Sequence, residues 1–288
     1  MPSKVSVICL CYNHEEFVEA ALASVIAQTY PTELIVVDDA SSDDSVQRIK
    51  GFISKHADRS IQTIFNEKNL GNCKAFNAAL ELTNAEYIID LAADDILLPN
   101  RVEEGLNNMS TRPEVAINFT NANYIDENGR YVKSHYAVDD KEKSKILVPE
   151  GDLFAEILKR YFICPPTLMY RASFLKAIGG YDEELAYEDL DIMLRLSRNH
   201  AFSFTDKILV EKRILSTSMA SLQYKKGNKQ LNSTLRICKK SFEMIQNRTE
   251  KRALLQRILY EAKQAFMHKR FLLFAAFITL GFKTILQK

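Results

Sequence analysis

Three groups of carboxylates stand out along the chain: Asp38-Asp39 with Asp43 and Asp44, Asp94-Asp95, and Glu188-Asp189 with Asp191. Carboxylates accept hydrogen bonds and bind hard divalent cations, and one placed beside a hydroxyl can take its proton. Such acids do not bind a diphosphate directly, because like charges repel, so a divalent cation must bridge the two. Asp94 and Asp95 are the natural ligands for that ion. Neither GxGxxG nor GxxxxGK[ST] occurs, which removes the glycine-rich cradles of dinucleotide and nucleoside-triphosphate sites. The five cysteines, Cys9, Cys11, Cys73, Cys164 and Cys238, form no CxxC pair and suit neither a zinc site nor a disulfide framework. A reducing cytoplasm is the expected compartment. The opening MPSKVSVICLCYNHEE lacks the basic start and long apolar stretch of a signal peptide, so export is not expected.

The elements that must hold these acids follow from the hydrophobic pattern. Residues Val5 to Cys11 read as a buried strand, Glu15 to Gln28 as a helix and Leu34 to Asp38 as a second strand. The rhythm continues with a helix from Asp43 to His56, a strand from Ile61 to Phe65, a helix after Gly71 and a strand from Tyr87 to Leu91. Successive β and α units predict an α/β fold, with a mostly parallel central sheet flanked by helices. Ligands of such sheets sit at the carboxyl ends of the strands. Tyr12-Asn13-His14, Asp38 to Asp43, Asn66 to Gly71 and Asp94-Asp95 all fall at those ends, which points to one site. Beyond it the style changes. Val115 to Tyr124 and Tyr131 to Tyr136 flank an Asn128-Gly129 hairpin turn, residues 137 to 150 read as a charged, mobile loop, and a helix runs from Asp152 to Arg160. Cys164-Pro165-Pro166 breaks any helix, Gly179-Gly180 ends the next, and from about Asn228 the pattern is helical and basic.

The segments VSVICLCYNHEEFVEAALASVIAQTYPTELIVVDDASSDDS, NEKNLGNCKAFNAAL and YIIDLAADDILLPNRVE, with a fainter GGYDEELAYEDLDIMLRL, resemble the successive signatures of the family 2 glycosyltransferases with the GT-A fold. The resemblance implies inverting transfer of a sugar, hexosyl or N-acetylhexosaminyl, from a nucleotide-diphosphate donor such as a UDP-sugar. The acceptor would be a hydroxyl of a glycan or lipid-linked glycan in surface-polysaccharide biosynthesis, with a divalent metal (Mn2+ or Mg2+) on the diphosphate. It also divides the chain into a nucleotide-sugar half (1–110), an acceptor half (111–225) and a helical extension (226–288). Tyr12 and Asn13 match the family's loop beside base and ribose, and Asp39 matches the acid that accepts a hydrogen bond from uracil N3. Gly71 and Lys74 match the segment that passes the diphosphate, where a lysine suits developing negative charge. Asn77 on the same helix reads as structural support. The family's Asp-x-Asp-Asp is here Ala92-Ala93-Asp94-Asp95, so its first acid is lost. Asp94 is the implied metal ligand and Asp95 lies next to the sugar or the metal waters, with affinity weakened by the missing charge. Asp90 lies within the strand and does not match the lost acid.

Glu188-Asp189-Leu190-Asp191 resembles the family's Glu-Asp pair that opens a helix in the acceptor half. Inversion needs one carboxylate near the acceptor hydroxyl, opposite the leaving diphosphate. Asp189 is the first choice, Asp191 the runner-up, and Glu188 completes the set. On a helix Glu188 and Asp191 share a face, with Asp189 turned about 100° away, so the three cannot line one pocket equally. Arg195, one turn beyond Asp191, is placed to hold a carboxylate as an ion pair. A second departure lies at Lys212-Arg213-Ile214-Leu215-Ser216-Thr217-Ser218, where many relatives carry Arg-x-His. Arg213 or Ser218 must then compensate, or the site depends less on metal. Each acidic group also suits a helix N-terminus or turn without any ligand. Two rivals follow: a non-catalytic sugar-nucleotide-binding or assembly subunit that has lost its chemistry, and a nucleotidyltransferase. The latter calls for a glycine- and basic-rich loop after the first strand, where this chain has CYNHEE.

With 288 residues, 47% hydrophobic and 26% charged, the chain is neither disordered nor fibrous. Its net charge of +1 argues against a nucleic-acid partner, yet that average conceals −12 over residues 1–210 and +13 over 211–288. The longest apolar run, Phe271 to Phe282, is too short to cross a bilayer. Flanked by Lys269-Arg270 and Lys283, it is expected to make peripheral contact with the inner face of the plasma membrane. A helix packed on the body, or in a homodimer, is the alternative.

Overall fold

The computed structural model describes residues 4–216 and 229–287. In chain order its elements are β1 (Val5–Cys11), α1 (Val18–Ile26), β2 (Glu33–Asp38), α2 (Ser45–Lys55), β3 (Ile61–Phe65), α3 (Asn72–Leu80), β4 (Tyr87–Ala92), β5 (Ile96–Leu97), α4 (Arg101–Met109), β6 (Val115–Ile125) and β7 (Tyr131–Ser134). There follow α5 (Phe154–Lys159), β8 (Met169–Arg171), α6 (Ala172–Ala177), α7 (Asp189–Ser197), β9 (Ala201–Arg213), α8 (Gln230–Met244), α9 (Arg248–Met267) and α10 (Phe271–Leu286). They fall into two compact units, one drawn from 1–151, 163–181 and 200–214, the other from 152–162, 182–199 and 215–288.

The first unit holds every described strand in one sheet of order β3-β2-β1-β4-β8-β6-β9-β5, with β7 on β6. β3, β2, β1 and β4 are mutually parallel, as their βαβ rhythm requires. Val5, Val7, Ile8 and Cys9 are inaccessible to solvent on both faces of β1, the pattern of a strand covered by helices on either side. Past β4 the sheet turns mixed: β8 runs antiparallel to β4 and β6, and β9 runs parallel to β6. The 13-residue β9 carries no clean alternation in AFSFTDKILVEKR, because its register against β6 shifts around Asn121 and half its residues are only partly covered. Helices α1 and α2 start later than their hydrophobic pattern suggests. The carbonyl of His14 accepts the amides of Phe17 and Val18, and Asp43 accepts those of Glu15 and Ser45, so the first polar residues form turns instead. Residues 137–150 also fold locally: Asp139 accepts the amides of Lys141 and Lys143, and Asp206 accepts from Ser144.

The second unit is helical. Its buried charges are paired, as burial demands. Arg198 meets Glu250 through Nη1–Oε2 at 2.8 Å and Nη2–Oε1 at 3.1 Å, with its guanidinium over the Phe154 ring. Asn247 caps α9 by accepting the Glu250 amide, and Glu250 accepts from the Asn247 side chain in return. Arg257 donates to the carbonyls of Leu158 and Ile157, which the last turn of α5 leaves without partners, and pairs with Glu261. α9 and α10 pack closely at Gly281, where a Cβ would stand 3.4 Å from Ile258.

Candidate active site

In the first unit the polar loops at the carboxyl ends of β1, β2 and β3 are tied to one another. Asn13, at φ 58, lies in the left-handed region that an asparagine tolerates best after glycine. Its side-chain oxygen accepts the Ser42 amide at 2.7 Å, and its own amide donates to Ser41 Oγ. Asp38 holds the same loop by accepting the Ser41 amide and hydroxyl. Asp39 is the hub of the third loop: Oδ1 accepts from Asn66 Nδ2 at 2.8 Å and the Leu70 amide at 2.9 Å, and Oδ2 accepts the Gly71 amide at 2.8 Å. A carboxylate offers about four acceptor sites, so Asp39 retains capacity for one more donor. Gly71, at φ 87, begins α3 in a conformation that a side chain would strain. Lys74 is exposed on the first turn of α3, and Tyr12 is 47% exposed beside Asn13. Asn77 serves the fold, clasping both the amide and the carbonyl of Tyr181.

The fourth loop carries Asp94 and Asp95. Asp95 is buried and accepts the Arg213 amide at 2.8 Å; burial first, then the Asp94 charge, push its carboxyl well above the usual range. Arg213 stands in the segment where Arg-x-His is missing. Its Nε donates to the Asp94 carbonyl and its Nη1 to the carbonyls of Asp126 and Glu127, while its guanidinium covers the Phe17 ring at 4.6 Å. It is a strut for the Asp94-Asp95 loop. Ser218 lies outside the described residues. Among the described residues no three His, Cys, Asp or Glu side chains converge as a metal cage. A cation that works on phosphates needs only one or two carboxylates, with phosphate oxygens and water completing its shell. Half-buried Asp94 beside buried Asp95, whose carboxyl is pushed up by burial first and then by the Asp94 charge, is a donor set of that kind.

Asp90, in the middle of β4, is partly buried, with its carboxyl pushed up to about 7 by desolvation, against the opposing effect of the Tyr181 hydroxyl that donates to it at 2.8 Å. An acid whose folded value lies above its unfolded one binds extra protons in the native state, so its contribution to stability is lost as pH rises from about 4 to about 7. Asp90→Asn is therefore expected to raise Tm at pH 8 by several degrees and to change it little at pH 4. Thermal melts at the two pH values check this, and an equal shift at both would contradict it.

In the second unit the three acids at the start of α7 are sorted by their partners. Asp191 is 2% exposed, and its two oxygens are held by Arg195 Nε at 2.6 Å and Lys240 Nζ at 2.5 Å. Lys240 also binds Asp182 at 2.9 Å. Glu188 is the N-cap residue, and its carbonyl accepts the Ile192 amide. Asp189 is partly exposed and accepts the Tyr161 hydroxyl at 2.6 Å. Desolvation at that hydroxyl and then the Asp189 charge hold the Tyr161 phenol well above its ordinary range, so it stays a donor. Arg257 lies over the Tyr161 ring at 5.4 Å. The Tyr161, Lys240 and Arg213 contacts have no signal in local sequence, because each joins residues 28 to 119 positions apart.

Parallel strands ending in acid-bearing loops, continued by a mixed half-sheet, define a fold of the GT-A type. Solved structures agree on the fold. S. aureus TarS 1-349 in complex with UDP-GlcNAc matches with a TM-score of 0.70 and 21% identity, over 92% of this chain and 73% of that one. The mannosyltransferase PcManGT from Pyrobaculum calidifontis, in complex with GDP-Man and Mn2+, matches with a TM-score of 0.64 and 13% identity, over 100% of this chain and 88% of that one. An uncharacterized glycosyltransferase of Methanocaldococcus jannaschii is 30% identical over 219 residues, 73% of this chain and 70% of the relative. In other curated relatives the matched stretch is as little as 31% of the relative's length. The model of glycosyl transferase family 2 matches residues 6–179. The chain belongs to that family.

Proposed function

We propose that the protein transfers a sugar, hexosyl or N-acetylhexosaminyl, from a UDP-sugar to a hydroxyl of a glycan or lipid-linked glycan, with inversion, in surface-polysaccharide assembly. The observation that carries this reading is the Asp39 carboxylate closing the Asn66–Gly71 loop while keeping an acceptor site for a ligand N–H. In that role Asp39 accepts a hydrogen bond from uracil N3–H, the exposed Tyr12 ring packs on the base, and Asn13 shapes the loop beside the ribose. Lys74 and the turn at Gly71 face the diphosphate. Asp94, with Asp95 beside it, would hold a divalent cation, which offsets the charge of the departing UDP when bound.

Asp189 acts as the base. It takes the acceptor hydroxyl proton as the acceptor oxygen bonds to the anomeric carbon and the bond to the diphosphate oxygen breaks, releasing UDP. Asp191 is a poorer candidate because both its oxygens are engaged by cations. Tyr161 positions Asp189 and stabilises its ionised form. Tyr161→Phe should move the acid limb of kcat upward by about one pH unit, on the scale of one charge-assisted hydrogen bond, with donor KM unchanged. An unshifted limb would remove Tyr161 from this role.

Calorimetry of UDP binding tests the donor half directly. Binding that strengthens at least tenfold with Mn2+ supports the reading, and tight binding indifferent to metal opposes it. The replacement of the family's first acid by Ala92 keeps one rival alive, a sugar-nucleotide-binding subunit without transfer activity. Slow metal-stimulated hydrolysis of the donor separates the two, since only a working site releases UDP.

A further inference from the structure

The α9–α10 hairpin has two unlike faces. On the inward face Glu250 and Glu261 are buried and neutralised by Arg198 and Arg257, while Leu254, Ile258, Phe277 and Leu280 pack away from solvent. Glu261 is the only acid in the sequence between residues 251 and 287. The outward face is therefore apolar and basic, with no acidic side chain of the hairpin upon it. Around the turn Phe266, Met267, Phe271 and Leu272 are exposed, Leu272 by 90%, and the far end adds Phe282 and Leu286. Exposed Arg252, Lys263, Lys269 and Lys283 lie among them. The Phe266 ring contacts those of Phe271 and Phe274, which fixes the turn as an aromatic tip.

We propose that this outward face docks on an anionic lipid bilayer, lying in the interface with the aromatic tip among the acyl chains and the lysines at the headgroups. Apolar side chains flanked by bases match the two attractions such a surface offers, burial of hydrocarbon and binding to negative charge. Crossing is not an option for this hairpin, since no described helix is long and apolar enough. A second copy is the weaker occupant, because pairing this face with itself sets bases against bases with no acid to offset them. The surface stands independently of the proposed transfer reaction.

The test uses the full chain and sedimentation with large vesicles of phosphatidylcholine alone or with about a third phosphatidylglycerol, at about 50 mM and about 500 mM salt. Co-sedimentation with the anionic vesicles at low salt is expected, falling at least tenfold at high salt and at least tenfold on neutral vesicles. Two exposed pairs of substitutions separate the attractions, each checked for unchanged helical circular dichroism. Phe271→Ser with Leu272→Ser should weaken binding at least tenfold at low salt. Lys269→Glu with Lys283→Glu should do so by at least twentyfold, about fivefold for each base lost. Wild-type protein that stays in solution with anionic vesicles overturns the proposal, as do variants that bind like wild type. A concentration-dependent dimer that Leu272→Ser dissociates, without vesicle binding, assigns the face to a second copy and overturns it equally.

Discussion

Asp189→Asn is expected to reduce sugar transfer at least a thousandfold while leaving UDP affinity in the presence of Mn2+ within about twofold. A positioned general base contributes about a hundred- to ten-thousandfold, and asparagine cannot accept the proton. The substitution is mild for the fold, because the asparagine oxygen still accepts the Tyr161 hydroxyl that now lies 2.6 Å from Asp189. The neighbouring acids offer no easy replacement. Asp191 is fixed by Arg195 and Lys240 in a buried cluster, and freeing it would break both ion pairs. Transfer rates and calorimetry on the same preparation check both halves of the expectation. A fully active variant would move the base to another residue, and a variant that no longer binds UDP would mean that Asp189 serves the donor.

Asp94→Ala is expected to abolish the Mn2+ dependence of UDP binding and to cost at least a hundredfold in transfer. With Ala92 already in place of the family's first acid, Asp94 is the main carboxylate left to anchor the cation, so its loss removes most of the local negative charge that holds the ion. Asp95 is buried, with one oxygen already accepting the Arg213 amide at 2.8 Å, so it is the less accessible of the two acids. The same strut protects the experiment from misfolding, since Arg213 binds the Asp94 carbonyl and leaves the side chain out of the contact. Unchanged metal-stimulated binding in the variant would show that the cation is held elsewhere.

The parallel strands β1 to β4 and their loops were legible in the sequence to an unusual degree because their information is local. Each parallel strand is a short apolar run, and each ends in a loop whose polar residues announce themselves within a few positions, as Asp38-Asp39 and Asp94-Asp95 do. What those side chains touch was not legible. Asp39 serves first as the anchor of the Asn66–Gly71 loop, a contact across 27 to 32 residues that no spacing rule carries. The second half was harder for the same reason. β9 is a half-covered strand with shifted register, so its alternation is blurred, and the unit around α7 is assembled from three separated stretches. The pairing of Asp191 with Arg195 was readable from their spacing of four on one helix. Lys240, from α8, was not. In the hairpin of α9 and α10, sequence revealed the apolar run and its flanking bases, but only packing shows which residues face outward.

The central proposal, that this chain releases UDP from a UDP-sugar with metal assistance through Asp94 and transfers the sugar with Asp189 as base, is tested most directly by following UDP release from a panel of UDP-sugars with the full chain, with Mn2+ and with chelator. At least one donor should be hydrolysed slowly with Mn2+ and at least tenfold more slowly with chelator, with transfer to an added acceptor lost in Asp189→Asn. No release from any UDP-sugar in the panel by protein that binds UDP would contradict the claim and favour the binding subunit.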